Sequence, residues 1–333
     1  MKNILFVAGL EENYYFDAFI ERCCNKEKNI RIYLFDPSFF PNEDSLSISV
    51  AKDGSVKGFI DVFECKKSFD KKKRRRLPIE DVDLAWYIRE NRRIKRQHKA
   101  SLCERFTENE SDCAIKSFFS TLSCKWINSK EKIDKVTSNK FYQQITALRA
   151  GLKIPQTLIS NYYKDVVSFS KVNNGLLLKS LGYIRLQDDN HFLYSQVFSH
   201  KEILDSKRKI DCCPVFAQKY ISKKYEYRVM AIGKKVLSCR IDSQASELTK
   251  VDWRHYDMQN VMHENVDLPK EVQNKILRFM ELIDLKYGAI DMIETPNGDF
   301  VFLEINPSGQ WGWISTLANV PIVEAVVEML KKE

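Results

Sequence analysis

Residues 287–314 read YGAIDMIETPNGDFVFLEINPSGQWGWI, and this run decides the fold. Two strand-like segments flank Pro296-Asn297-Gly298-Asp299. Asn-Gly is a strong hairpin signal, because a type I′ turn needs positive φ at both central residues. With Asn297 and Gly298 as a two-residue loop, Pro296 pairs with Asp299, and counting back sets Asp291 opposite Glu304. Ile293 and Phe302 then share the face of the two carboxylates, while Ile290, Met292, Leu303 and Ile305 point the other way. Both faces are largely apolar, so the ribbon is expected to be buried.

Like charges opposed across a ladder destabilise it, and in a buried ribbon they need a cation or a shared proton. Asn306 lies two residues beyond Glu304 and therefore on the same face. Asp291, Glu304 and Asn306 offer only oxygen donors. That set suits Mg²⁺, a hard ion usually held by one or two carboxylates together with substrate phosphates. A hairpin whose carboxylates simply face water is the plainer alternative, and the apolar flanks weigh against it.

An Asp on one strand and Glu-x-Asn on the next, followed by Pro and Gly, resembles the metal-binding end of the ATP-grasp fold. The run LEINPSGQWGWI (303–314) is similar to the graspetide enzymes, the ATP-grasp ligases that cyclise microviridin-type peptides. The resemblance implies an α/β (α+β) chain with ATP and Mg²⁺ as cofactors. It implies an N-terminal β-α-β pre-ATP-grasp domain over 1–125, a central ATP-grasp lobe with a phosphate lid over 126–205, and a C-terminal lobe with the metal site over 206–333.

Toward the N-terminus, ILFVAGL (4–10) and IRIYLFD (30–36) read as buried strands around a helix at Tyr14–Cys24. No G-x-G-x-x-G follows the first strand. Ser47–Val50 and Phe59–Phe63 are expected to be short strands around Asp53-Gly54. The six basic residues Lys71 to Arg76 read as an exposed loop, and Arg92 to Thr121 as one or two helices. The formal charge of +8 is concentrated at 71–76 and 89–99 and favours anionic partners: nucleotide, nucleic acid or acidic peptide. Helix-turn-helix, zinc-finger and RNP patterns are all missing, so nucleic acid is set aside. Trp86 and Tyr87 extend the resemblance to a Trp-Tyr-Arg-type element.

In the middle of the chain, Thr137 or Ser138 suits an N-cap, Phe141, Ile145 and Leu148 form an apolar stripe, and Gly151 suits the C′ position. Lys140 then falls in the first turn, opposing the dipole unless a phosphate joins it. Lys179 ends the run GLLLK, and a lysine entering a buried strand calls for an anion. In ATP-grasp enzymes two lysines hold the nucleotide phosphates, and Lys140 and Lys179 match those positions. The lid is usually rich in glycine; Ser180 to Asn190 holds only Gly182.

Val215–Ile221, Tyr225–Ile232 and Val236–Asp242 read as an antiparallel meander. The resemblance puts Gln218, Lys219, Tyr220 and Ile221 at the hinge whose backbone reads the adenine edge, with Glu226 near the ribose. Arg228 and Arg240 lie in apolar runs; their planar forks suit the charge on a transferring phosphoryl group. Pairing with Glu226 or Asp242 is the structural alternative. Asp252-Trp253-Arg254 resembles an Asp-aromatic-Arg element that brings Arg254 toward phosphates or a substrate carboxylate. Trp311 and Trp313, two apart, read as packing residues. His255 and His263 have no evident ligand partners.

Two lysines, an oxygen-donor metal cluster and arginines, without a nucleophile–base pair, suit phosphoryl transfer. In the graspetide enzymes an Asp or Glu side chain of a ribosomal precursor peptide is activated as an acyl phosphate. A Thr or Ser hydroxyl or a Lys amine then closes an ω-ester or ω-amide macrocycle. The implied partner is a precursor peptide with a leader and an acidic core, and a homodimer is expected. The nine cysteines are scattered without a C-x-x-C, which fits reduced thiols in a cytoplasm. No apolar run reaches the roughly 20 residues of a membrane span. A glutathione-synthetase-like ligase adding a free amino acid, and a non-catalytic nucleotide-gated peptide-binding protein, are the alternatives.

Overall fold

ILFVAGL and IRIYLFD become adjacent parallel strands, β1 (Lys2–Ala8) and β2 (Ile30–Phe35), in a computed structural model. The structure describes residues 1–10, 27, 29–65, 69–89, 101–182, 194–255, 257 and 259–333. The expected helix at Tyr14–Cys24, the basic run from Arg92 to Lys99 and the lid beyond Gly182 as far as Asn190 lie outside the described residues. The chain divides into two units: Met1–Lys132 with Val323–Glu333, and Ile133–Ile322.

The first unit is built on one sheet. β3 (Leu46–Val50) and β4 (Val56–Cys65) form the expected hairpin, turning at Gly54 with φ +83°. β5 (Phe69–Pro78) pairs with β4, and β6 (Leu84–Arg89) and β7 (Lys125–Trp126) extend the sheet in the order β3-β4-β2-β1-β6-β7. The basic run is therefore a strand and not a loop. Cross-strand carboxylates make this possible: Arg75 and Arg76 meet Glu64 and Asp61 at 3.2 and 3.4 Å, and Arg74 meets the buried Asp44. The Arg74 and Arg76 guanidinium groups also lie 3.7 and 3.9 Å from the Phe63 and Phe59 ring centroids. α1 (Leu102–Thr121) starts at a capping box, Ser101 with Glu104, and buries Ile115, Phe118 and Phe119. The C-terminal helix, Ile322–Lys332, closes this unit. Lys2 donates to Leu330 O in its last turn at 3.0 Å, as the negative end of a helix dipole favours, and Lys125 donates to Glu333 O just beyond it at 3.2 Å.

The second unit holds two antiparallel sheets. α2 (Lys130–Thr137) and α3 (Lys140–Arg149) lead into β8 (Thr157–Ser160), α4 (Tyr163–Asn173), β9 (Leu176–Lys179), β10 (Gln196–Phe198) and β11 (Val215–Gln218). These strands form a four-stranded sheet in the order β10-β9-β11-β8. β12 (Tyr225–Ile232), β13 (Lys235–Ile241), β14 (His263–Asn265), β15 (Tyr287–Glu294) and β16 (Phe300–Asn306) form a five-stranded sheet in the order β14-β13-β12-β15-β16. The expected three-strand meander is thus two strands. Its first member belongs to the other sheet, where Gln218 pairs with both Thr157 and Leu177 and the Lys219 N–H is taken by Gln156 O at 2.9 Å. The core under the five-stranded sheet joins Val229, Ile290, Met292, Phe302 and Ile305 to Phe279 of the helix Lys270–Leu282.

α3 contradicts its reading. Phe141, Ile145 and Leu148 are exposed, and the buried face carries Gln143, Gln144, Thr146 and Ala147. The N-cap is Asn139, which accepts from the Tyr142 N–H, while Thr137 ends α2. The C-terminus is as expected: Gly151 at φ +89° follows the cap, with its own N–H on Leu148 O and the next one on Ala147 O.

Candidate active site

The hairpin at 294–300 reaches the expected pairing by an unexpected route. Thr295 N–H donates to Asp299 O and Gly298 N–H to Thr295 O, both at 2.9 Å, so the loop has three residues, Pro296, Asn297 and Gly298. Gly298 closes it at φ +81°, a left-handed conformation that glycine adopts freely. Near the turn the ladder is one residue off the count: Glu294 opposes Phe300 and Met292 opposes Phe302. A bulge between Asp291 and Met292 makes up the difference, and Asp291 opposes Glu304. The two departures cancel for the carboxylates but not for their neighbours. Phe302 enters the core, whereas Leu303 turns to the carboxylate side with Ile293.

That side lines a cleft open to solvent. One wall comes from the four-stranded sheet and the chain leaving it: Leu177, Lys179, Gln218, Lys219, Tyr220 and Ile221. Glu226, Arg254, Asp291, Leu303 and Glu304 supply much of the rest. Lys140 joins through its ammonium, 3.0 Å from the Glu304 carboxylate.

Charge is concentrated here. Burial pushes the Glu304 carboxyl up, but Lys140, Lys179 and Arg254 outweigh it and hold the group down at about 2. Burial lowers the Lys179 ammonium, and Glu304 works against that. Asp291 is raised, first by burial and then by Glu304; Arg228 opposes this with a 2.9 Å hydrogen bond from Nη1. Burial also pushes Asp252 up, yet the two-pronged Arg254 guanidinium holds it well below the carboxylate range.

A depressed carboxylate stabilises the fold above its ordinary value, near 4.5, and that stability disappears as pH falls through the folded value. Wild-type thermal stability should therefore fall between pH 4.5 and about 2 in part because Glu304 protonates. Lys140→Met removes the closest counter-charge, so the decline over that interval should become shallower. Melting temperature against pH, wild type beside variant, checks this.

Asp291 and Glu304 face each other in register, and Asn306 follows on the same side with only oxygen to offer. The Asn306 Oδ1 accepts from the Ser308 N–H at 2.9 Å, which leaves its second lone pair for a cation. This donor set fits Mg²⁺. Arg228 and Lys140 supply the positive charge the carboxylates require in this structure. The buried Gln218 amide donates to Thr157 Oγ1 at 3.1 Å, while its oxygen has no partner among the described residues, an acceptor fit for a bound base.

Of the residues singled out in the sequence, Arg240 is not brought to the cleft. It pairs in register with Tyr227, on the face opposite Arg228, where it meets Glu264 and lies 4.6 Å from the Tyr225 ring centroid. Its expected role at the phosphates is withdrawn. Arg228 meets Asp291 in place of the expected Glu226 or Asp242. Glu226 is instead paired at 2.6 Å with Lys223, a buried lysine that also donates to Val251 O at 3.0 Å. Lys223 was missed because Lys223-Lys224 reads as a solvated turn. Trp313 packs 5.0 Å from Trp253, centroid to centroid, and also meets His263, as expected of packing residues. Gly309 was missed as well. A Cβ there would lie 2.3 Å from the Ala289 Cβ and 2.7 Å from Arg228 Nη2, so a side chain at this position would have to displace the loop from Ala289 and shift the guanidinium.

A model of the RimK-like ATP-grasp domain matches residues 137–330. The whole chain superposes on a RiPP-associated ATP-grasp ligase of Chryseobacterium gregarium, solved with ADP and a leader and core peptide. The TM-score is 0.86 at 23% identity, covering 100% of this chain and 97% of that one. The macrocyclase MdnC of Microcystis aeruginosa, bound with the precursor peptide MdnA, gives a TM-score of 0.82 at 25% identity over 99% of this chain and 100% of that one. The glutamate–LysW ligase ArgX of Sulfurisphaera tokodaii is 22% identical over 210 residues, 62% of this chain and 72% of its own.

Proposed function

This chain belongs to the RimK-like ATP-grasp family and is an ATP-dependent ligase, and we propose that its substrate is a ribosomal precursor peptide whose Asp or Glu side chains it links into macrocycles. One observation carries the reading: two opposed carboxylates in a cleft that also gathers Lys140, Lys179 and Arg254, in a chain matching MdnC over nearly its whole length.

Each group has a task. Gln218 to Ile221 take the adenine, and Lys223 with Glu226 make the polar wall near the sugar. Lys140, Lys179 and Arg254 draw the phosphates in and neutralise them. Asp291, Glu304 and Asn306 would hold Mg²⁺, which would supply positive charge to offset that of the phosphates. Arg228 orients Asp291. The substrate carboxylate attacks the terminal phosphorus, ADP is the leaving group, and an acyl phosphate results. A Thr or Ser hydroxyl or a Lys amine then attacks the acyl carbon, losing its proton and expelling phosphate as the ester or amide forms. Positioning and fixed charge do most of this work, as expected where the transition state carries spread negative charge.

The acidic core of such a peptide suits the basic chain, and its leader supplies the remaining contacts. A homodimer in a reducing cytoplasm completes the proposal. Among the described residues no helix is long and apolar enough to cross a membrane.

Incubation with Mg·ATP and the short peptide encoded beside the protein, followed by mass spectrometry, tests it. Loss of one water per bond, dependent on ATP, is the expected result. Gain of an amino-acid mass, or an unchanged peptide, would overturn it.

A further inference from the structure

We propose that Gln143 and Gln144 are positioning residues that hold Glu304 toward the cleft. The inference rests on reading Glu304 as a residue of the nucleotide and metal site. Among the described residues β16 is the outer strand of its sheet, and the backbone pairing on its outward edge is an isolated bridge between Lys153 and Val301. The Phe302 N–H finds Lys153 O at 2.8 Å on that edge. Beyond it the neighbours are side chains. Gln144 Nε2 donates to Leu303 O at 2.6 Å, and Gln143 Oε1 accepts the Ile305 N–H at 3.0 Å. The other end of the Gln143 amide is fixed too, donating to Val136 O at 2.9 Å. Both glutamines are 2% exposed.

These two bonds clasp the backbone on either side of Glu304, where the bulge lies. The consequence follows from register. Without the bulge, the pairing nearest the turn would continue unchanged: Asp291 would oppose Leu303, and Glu304 would oppose Ile290 on the core face. The bulge alone puts the carboxylate across from Asp291. The glutamines satisfy the outward carbonyl and N–H of that irregular segment, as a neighbouring strand would for a regular one. Lys140 stands three and four residues before them on α3 and reaches Glu304 from the same helix. The inward polar face of α3, which contradicts its apolar stripe, is thereby explained: it packs on a strand edge.

Gln143→Met and Gln144→Met keep side-chain length and remove the hydrogen bonds. ADP affinity is measured by calorimetry with and without Mg²⁺, beside amide exchange over 300–306. The Mg²⁺-dependent gain in affinity should fall by about 10–100-fold, the range for partners that orient a metal ligand. Metal-free ADP binding should change little, and exchange at Ile305 should accelerate in Gln143→Met. Val166→Ala is the control: it opens a cavity in a separate core cluster and lowers stability without touching the strand. If the glutamine variants melt lower yet keep the wild-type Mg²⁺ gain, as the control should, their role is structural and the proposal falls. Gln144→Asn, one methylene shorter, serves the same comparison if the methionine variants do not fold. Glu304→Gln separates the two levels. Should it abolish the Mg²⁺ gain while the glutamine variants leave it intact, only the positioning role is refuted. Should it leave the gain untouched, the reading of the site is refuted first.

Discussion

Glu304→Gln is expected to cut ATP turnover about a thousandfold while leaving the protein folded. Loss of a partner that merely orients a metal ligand already costs about 10–100-fold, so loss of a ligand itself should cost more. The substitution keeps shape and removes charge. Lys140, Lys179 and Arg254 would then face the cleft without the carboxylate that offsets them. ATP should consequently still bind, and bind at least as tightly when no metal is added, because three cations remain for its phosphates. Turnover and metal-free binding should thus move apart. A turnover assay with Mg²⁺ beside calorimetry without it checks this, and wild-type turnover in the variant would refute the ligand role of Glu304.

Arg228→Met should give the largest loss of stability. Arg228 and Asp291 form an ion pair at 2.9 Å in which the two side chains are 9% and 15% exposed. Removing one partner of such a pair leaves a buried charge uncompensated and costs about 3–5 kcal/mol. The remedy is specific. A divalent cation at Asp291 and Glu304 replaces the missing positive charge, so Mg·ADP should stabilise the variant more than it stabilises the wild type. Denaturant unfolding with and without Mg·ADP measures both quantities. An equal stabilisation of the two proteins would argue against metal at Asp291. Gly309 lies on the same path, since any side chain there meets Arg228 Nη2 and the Ala289 Cβ.

The opposition of Asp291 and Glu304 was legible in the sequence, but through an argument whose two errors cancelled. Asn-Gly suggested a two-residue loop, and the chain uses three residues with Gly298 left-handed. A bulge at Leu303 restores the count. A leucine inside a bulge looks like any strand leucine, so the swap of faces between Phe302 and Leu303 could not be read locally. The signal for it lay far away, in two adjacent glutamines on α3. Their burial contradicts the rule that a helix turns its apolar stripe inward, because that rule presumes a greasy neighbour and not a strand edge.

Arg240 is a different kind of error, since the information was present. Gly233-Lys234 is a two-residue turn, and counting from the Ile232–Lys235 pair puts Arg240 opposite Tyr227, away from Arg228. The hexabasic segment failed for a third reason. Its strand depends on Asp44, Asp61 and Glu64 lying across from the arginines and on phenylalanine rings beneath them. Such compensation is visible only after the pairing is known.

The first unit is assembled from both ends of the sequence, Met1–Lys132 and Val323–Glu333, while Ile133–Ile322 is one unbroken segment. Vectorial synthesis treats the two differently. The second unit emerges as one segment and can acquire its structure while translation continues. The N-terminal sheet is made before that unit yet completed after it, because the helix that Lys2 holds at Leu330 O follows Ile133–Ile322 in the sequence. In the interval the surface that helix covers is bare, and it is there that a nascent chain of this kind most needs protection from aggregation.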